Sequence, residues 1–350
     1  MNTMLAAVYH GPHDLRLEEA PVPEIGPDEI LLRVRGAGIC ATDFRVMHGG
    51  HRFFPPGTKR ILGHEAAGEI ARIGRQVSGY QEGQRVFIAP NIGCGHCRHC
   101  VTGHNCRCVD YTAIGLTIDG AFAEYMRIPA KAVEQGNVIP LADGVSLAEA
   151  CLIEPLACVL RGQEALHIIP GETVLVVGAG PIGVIHARLA GLHGAGQVFI
   201  SEVIPARVEQ ARRMGVGQVV NPQAEDLEQV LLQGTSGRGP DVVIVAAPSP
   251  QAQQDAVRLA AIGGRICFFG GLPKDKPMIH LDANLIHYKE LIVTGSTANS
   301  TANCWRAVEI VNAGRLRLDD VLSACYPLKD VHAAFAAAED RRSLKVVVEP

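Results

Sequence analysis

The run Thr173-Val174-Leu175-Val176-Val177 ends in Gly178-Ala179-Gly180-Pro181-Ile182-Gly183 and then enters an apolar stretch, Val184 to Leu192. This junction limits the fold more than any other segment. A continuous apolar strand must be buried on both faces, and the glycines after it permit a tight turn into a helix. Strand–turn–helix units of this kind stack into a parallel sheet with helices on both sides. The same glycines let the backbone approach a pyrophosphate, held by the N–H groups and dipole of the helix N-terminus. Glu202 follows the run Val198 to Ser201 and is placed to accept from an adenosine ribose diol. A carboxylate there repels a 2′-phosphate, so NAD is expected over NADP, with Arg207 as the nearby cation that could pair with such a phosphate. The expected cofactor residues are Gly178, Gly180, Pro181, Ile182, Gly183, Glu202 and Arg207.

The pattern continues in Val242 to Val245 and Arg265 to Phe269, with helical spacing over Pro205 to Met214, as in a doubly wound Rossmann-type α/β sheet. Residues 1–155 read differently. They are rich in Gly and Pro, with short runs such as Ile30 to Arg35 and Arg85 to Ala89, which predict a β-rich, barrel-like unit. After Gly295 come two helical stretches, Asn303 to Ala313 and Leu328 to Arg341, and a strand, Leu344 to Val348. Three segments are therefore expected: 1–155, 156–296 and 297–350. A chain of 350 residues with 47% hydrophobic content can fill two cores. Its net charge of −4 points to neither nucleic acid nor an anionic membrane as partner. No export signal or membrane span is visible, so the eleven cysteines suit a reducing, cytoplasmic compartment. Cys151, Cys158, Cys267, Cys304 and Cys325 stand among apolar neighbours and read as buried thiols.

Four further cysteines are spaced for a metal. Cys94, Cys97, Cys100 and Cys108 stand at offsets 0, 3, 6 and 14 in a loop of about 91–110 that is rich in Gly, His and Asn. Such a loop has little apolar surface with which to order itself. Four thiolates satisfy a tetrahedral zinc completely, leaving no open position for catalysis. Cys106 is the alternative fourth ligand, although the offset favours Cys108.

A second set is dispersed. Cys40, in Gly38-Ile39-Cys40-Ala41-Thr42-Asp43, His64 and Glu65, in Gly63-His64-Glu65, and Glu154, before Pro155, together supply the mixed S, N and O donors of a zinc site with one position open. Each alone reads as a core thiol, a turn histidine or a helix-start carboxylate.

In four ordered motifs the chain resembles the zinc-dependent medium-chain dehydrogenases, the alcohol, polyol and threonine dehydrogenases. The motifs are GICATD, GHEAAGEI, CGHCRHC with Cys108, and VVGAGPIG with Glu202. The resemblance spans nearly the whole length and implies a GroES-like catalytic domain with a Rossmann domain, the C-terminal segment returning to the former. It implies catalytic zinc on Cys40 and His64, with Glu154 of an EP pair as third ligand in the manner of the polyol branch. Glu65 is then an alternate ligand or a support behind the metal. Thr42 matches the residue that takes the hydroxyl proton, while Arg45 replaces the histidine many relatives carry, so that His48, His51 or the cofactor ribose is left for the onward proton path. Two zinc ions, NAD, a small alcohol substrate and a homodimer or homotetramer follow from the same resemblance. The expected reaction is hydride transfer from a secondary alcohol of a polyol or sugar alcohol to NAD. L-Threonine is the rival substrate, with Arg45 or Arg127 for its carboxylate. A zinc-stabilised nucleotide-binding redox sensor and a zinc-free enone reductase are the competing classes.

Overall fold

The computed structural model describes residues 3–340 and 342–350. Arg341, the end of the helix expected from Leu328, lies outside them, as do Met1 and Asn2 of the expected first segment. The chain divides into two compact units, Met1–Ala157 with Asn299–Pro350, and Cys158–Ala298. Their boundaries lie two residues beyond the expected 155 and 296.

In chain order the first unit runs β1 (Thr3–Gly11), β2 (Asp14–Pro21), β3 (Ile30–Gly38), α1 (Ala41–Met47), β4 (Arg60–Ile61), β5 (Glu65–Ile73), β6 (Arg85–Ile88) and β7 (Asn91–Ile92). It continues through α2 (Arg98–Val101), β8 (Thr112–Ala113), β9 (Tyr125–Ile128), α3 (Ala130–Glu134), β10 (Val138–Pro140) and α4 (Leu147–Ala150). Helix α5 (Ile153–Glu164) carries the chain into the second unit.

There β11 (Thr173–Val177), α6 (Pro181–Leu192), β12 (Gln197–Ser201), α7 (Pro205–Met214), β13 (Gln218–Val220), α8 (Leu227–Gly234) and β14 (Val242–Val245) alternate. The alternation ends with α9 (Pro250–Leu259), β15 (Arg265–Phe268), α10 (Ala283–Tyr288) and β16 (Ile292–Gly295). The strands form one parallel sheet in the order β13-β12-β11-β14-β15-β16. All four residues of β14 are fully buried, which is why the run reads as continuously apolar. This is the doubly wound sheet expected from the sequence.

The return adds α11 (Thr301–Asn312), β17 (Leu322–Pro327), α12 (Val331–Glu339) and β18 (Lys345–Glu349). Strand β17 was not anticipated, because its residues alternate between half-buried and exposed and none is fully buried. The single helix expected from Leu328 is a 3-10 turn, Leu328–Asp330, followed by α12; Asp330 at φ −104°, ψ 25° separates them. Among the described residues the first unit has three sheets: β2-β1-β4, the pair β7-β8, and β10-β6-β5-β3-β18-β17 with β9 also on β3. Gly38 is the crossing point. It pairs with Glu65 of β5 on one side and Val347 of β18 on the other. That register brings the end of β3, the start of β5 and the last strand to one place. Among the described residues no helix is long and apolar enough to cross a membrane.

Candidate active site and metal centres

In the second unit, β11 turns into α6 through Gly178, whose φ of +105° lies in the region that favours glycine. A Cβ on Gly183 would lie 1.8 Å from the Gly178 oxygen, so the helix packs on its own turn only without a side chain there. A Cβ on Gly180 would find no atom nearer than Arg207 Nη1 at 3.5 Å. The first and third glycines thus shape the turn, and the second leaves the helix N-terminus open to a phosphate. Pro181 opens the helix, where its missing N–H costs no hydrogen bond, and half-buried Ile182 follows it. Glu202 is buried. Its Oε2 accepts from the Ala179 amide at 2.8 Å, and its Oε1 accepts from the amides of Val203 and Ile204 at 2.8 and 2.9 Å. Each carboxylate oxygen has two acceptor sites, so Oε2 keeps capacity beyond its amide.

In the first unit, Cys94, Cys97, Cys100 and Cys108 bring their sulfurs within 4.8 Å of one another. Three of the separations are 3.9 Å (Cys94–Cys100), 3.5 Å (Cys97–Cys100) and 3.8 Å (Cys97–Cys108). Ligands at about 2.3 Å around a tetrahedral zinc stand about 3.8 Å apart, so the spacing fits the ion. Backbone amides assist: the N–H of Cys97 donates to Cys94 Sγ at 3.2 Å, and that of Cys94 to Cys108 Sγ at 3.3 Å. Hydrogen bonding from the His96 backbone is the main cause that brings the Cys94 thiol down to about 6. Gly93 is obligatory, since a Cβ there would lie 2.4 Å from Cys100 Sγ. Cys106 is not part of the group.

The second group is Cys40, His64 and Glu65, again within 4.8 Å. Cys40 is the N-cap of α1, and Asp43 closes a capping box by accepting the Cys40 amide on Oδ2 at 2.9 Å. The other oxygen of fully buried Asp43 faces His64 Nδ1 at 3.7 Å. That separation is too long for a hydrogen bond, so the carboxylate acts on the ring through its charge. Burial alone would lower the His64 pKa. Negative charge on Cys40, Asp43 and Glu154 outweighs it and raises His64 well above its ordinary range. The position therefore attracts positive charge, as a zinc site must. Among the described residues, Asp43 Oδ1, His64 Nδ1 and Glu65 Oε1 are buried without a hydrogen-bond partner, which again fits a site built around an ion.

Glu154, in the first turn of α5, is buried nearby but is not brought into that group. Its Oε1 accepts from Asn299 Nδ2 at 2.5 Å. The structure thus gathers Glu65 where the sequence put Glu154 first. Thr42 lies half-buried in α1, and Arg45, one turn later, is exposed. His48 faces Glu339 at 3.6 Å, both exposed, and the His51 ring packs against Phe53 and Phe54.

Two readings change. Cys325 is an exposed thiol, because it falls on the outward face of β17, and Cys158 is only half-buried. Arg127 pairs with Glu29 at 3.7 Å. Nothing in the sequence pattern pointed to Lys345, which is buried, ion-paired to Glu65 and donating to the Ile39 oxygen at 3.0 Å. Within the apolar run of β18 it looks like an ordinary surface lysine, and only its position in that run could have marked it.

Residues 26–140 match the family described as alcohol dehydrogenase GroES-like domain, and residues 181–312 the family described as zinc-binding dehydrogenase. An L-threonine 3-dehydrogenase of Chelativorans sp. (strain BNC1) is 32% identical over 351 residues, covering 99% of both chains. A sorbitol dehydrogenase of Bacillus subtilis is 31% identical, covering 99% of this chain and 97% of the other. Among solved structures, a Sinorhizobium meliloti protein described as a zinc-binding dehydrogenase and bound to NADP superposes with a TM-score of 0.88. It is 31% identical and matches over 100% of both chains.

Proposed function

This chain belongs to the zinc-dependent medium-chain dehydrogenase family, and on that premise we propose that it oxidises a secondary alcohol of a polyol or sugar-like molecule with NAD. The Cys40–His64–Glu65 cluster, half-buried at Cys40 and buried at the other two, with Asp43 behind it and Glu154 beside it, carries this reading. Cys40 and His64 hold the catalytic zinc with Glu154 as third ligand and Glu65 as its alternate, while Cys94, Cys97, Cys100 and Cys108 hold the structural one. The catalytic zinc supplies Lewis-acid polarisation of the substrate oxygen, and NAD supplies the hydride acceptor. Asp43 acts on the His64 ring through its charge. Thr42 takes the hydroxyl proton. Glu202 accepts from the adenosine ribose and disfavours a 2′-phosphate, while Gly178, Gly180 and Gly183 shape the turn that lets the pyrophosphate reach the N-terminus of α6, where Pro181 and Ile182 stand. Arg207, close to Gly180, is the residue through which NADP would be used instead.

Buried carboxylates and the Asn299 amide make the surroundings of the second cluster polar, which suits a substrate with neighbouring hydroxyls. L-Threonine is the competing substrate, favoured by the Chelativorans relative. With Arg127 engaged by Glu29, Arg45 is the remaining candidate for its carboxylate. The enzyme is proposed to be a cytoplasmic homodimer or homotetramer, for which the edge strand β16, with Ile292 57% exposed, offers a pairing surface.

Turnover of NAD and NADP against sorbitol-like polyols, L-threonine and ethanol, with zinc counted per chain, tests all of this. Two zincs, NAD preference and the highest kcat/KM for a polyol are expected. Preference for threonine or ethanol would end the substrate reading, equal use of NADP the cofactor reading, and a single zinc the dehydrogenase reading in favour of a redox sensor or enone reductase.

A further inference from the structure

Asn299 is fully buried, and the expected chemistry makes no use of it. Its Nδ2 donates to Glu154 Oε1 at 2.5 Å and to the Glu154 backbone oxygen at 3.3 Å. Its backbone and side-chain oxygens both accept from Asn91 Nδ2, at 2.8 and 2.9 Å. The Asn91 backbone oxygen in turn accepts from Asn105 Nδ2 at 2.7 Å. Asn105 lies in the 3-10 turn Asn105–Arg107, between Cys100 and Cys108. Asn91 and Asn105 are buried as well. A path of buried amides therefore joins the thiol lobe to a carboxylate beside the second cluster.

The polarity of this path is fixed from one end. A carboxylate only accepts, so Asn299 must turn its NH₂ toward Glu154, which leaves its oxygen for the NH₂ of Asn91. The Asn91 Oδ1 then takes the Tyr111 hydroxyl at 2.7 Å. Reversing any one amide would bury acceptor against acceptor, so the whole path holds a single arrangement.

We infer that Asn299 is a positioning residue that aims the Glu154 carboxylate at the Cys40–His64 site, and that Asn91 and Asn105 make this aim depend on the closed thiolate lobe. The inference rests on the dehydrogenase reading above, in which Glu154 serves the catalytic zinc. Asn299 acts through Glu154 and does not itself touch the reacting atoms. Hydrogen bonds that orient metal ligands from behind carry about 10–100-fold in metal affinity.

The full-length protein, stripped of metal and titrated with zinc against a chelator, reads both sites, and Cys97→Ser identifies the lobe equivalent. The wild type should take two equivalents. Asn299→Ala should keep the lobe equivalent at wild-type affinity, weaken the other about 10–100-fold, and lower kcat while leaving KM for NAD unchanged. Asn299→Asp has the same shape but swaps donor for acceptor, and should weaken that site at least as far. Asn105→Ala leaves every contact of Glu154 in place, yet should weaken the second site too, and the double variant Asn105→Ala/Asn299→Ala should lose no more than Asn299→Ala alone. Wild-type zinc affinity at the second site in both Asn299 variants would overturn the positioning role, and additive losses would overturn the path. A wild type that takes only one equivalent would overturn the dehydrogenase reading, and the inference with it.

Discussion

With each lobe cysteine proposed as one corner of a zinc tetrahedron, removing Cys97 would leave three thiolates. Cys97→Ser is expected to cost one metal per chain by elemental analysis and to expose the 91–110 loop to protease, while Cys106→Ser costs none. His186 offers a second test at this scale, through pH. It is fully buried, with its ring edge-on to Phe269 at 4.6 Å, and burial lowers its pKa from 6.5 to about 3. Below pH 6.5 the unfolded chain binds a proton here that the native state refuses, so stability falls as pH drops from 6.5 toward 3. By pH 5 the loss from this group is about 2 kcal/mol. Urea melts at pH 7 and pH 5 should show it in the wild type, and His186→Gln should remove that part of the difference. Residues with local signatures were legible: the cysteines stand within 15 positions of one another, and the glycine turn within six. Lys345 and Asn299 were not. Each meets its carboxylate across 280 and 145 positions respectively, and neither residue type advertises a buried role.

Among elements, the turn between β11 and α6 separates fold from binding in two neighbouring glycines. Gly183→Ala drives a methyl into the Gly178 carbonyl and should lower the melting temperature of the second unit, at a cost of several kcal/mol. Gly180→Ala meets only the tip of Arg207, so its melting curve should match the wild type. Its affinity for NAD should nonetheless fall on the order of tenfold, about 1.4 kcal/mol, as read by nucleotide fluorescence titration. Equal effects on melting for the two variants would contradict this division. The buried parallel strands were legible because apolar runs and helical spacing alternate plainly from Thr173 onward. Strand β17 was not, because half-buried residues such as Leu322, Ala324 and Tyr326 alternate with exposed ones, so no apolar run marks it. The 3-10 turn before α12 was hidden for a different reason, since Leu328 continues the apolar pattern while Asp330 breaks the backbone geometry.

For the whole molecule, the first unit is discontinuous in sequence and the second is not. Deleting residues 344–350 removes β18 from between β3 and β17, together with Lys345 beside Glu65. The truncated chain should lose protection in the first unit and keep it in residues 158–298, as mapped by hydrogen exchange; uniform protection would contradict a sheet that needs its last strand. The same discontinuity sets a timetable on the ribosome. Synthesis runs at about 5–20 residues per second, so the final 52 residues, 299–350, take roughly 3–10 s. Residues 158–298 can fold before that interval ends, whereas the earlier-made first unit must wait with the Ala37–Gly38 end of β3 uncovered on one side. The thiol lobe closes over only 15 residues and can capture its ion during the wait. The Cys40–His64 cluster acquires Lys345 only when the chain is nearly released, so on the proposed two-zinc reading the lobe site is expected to load first.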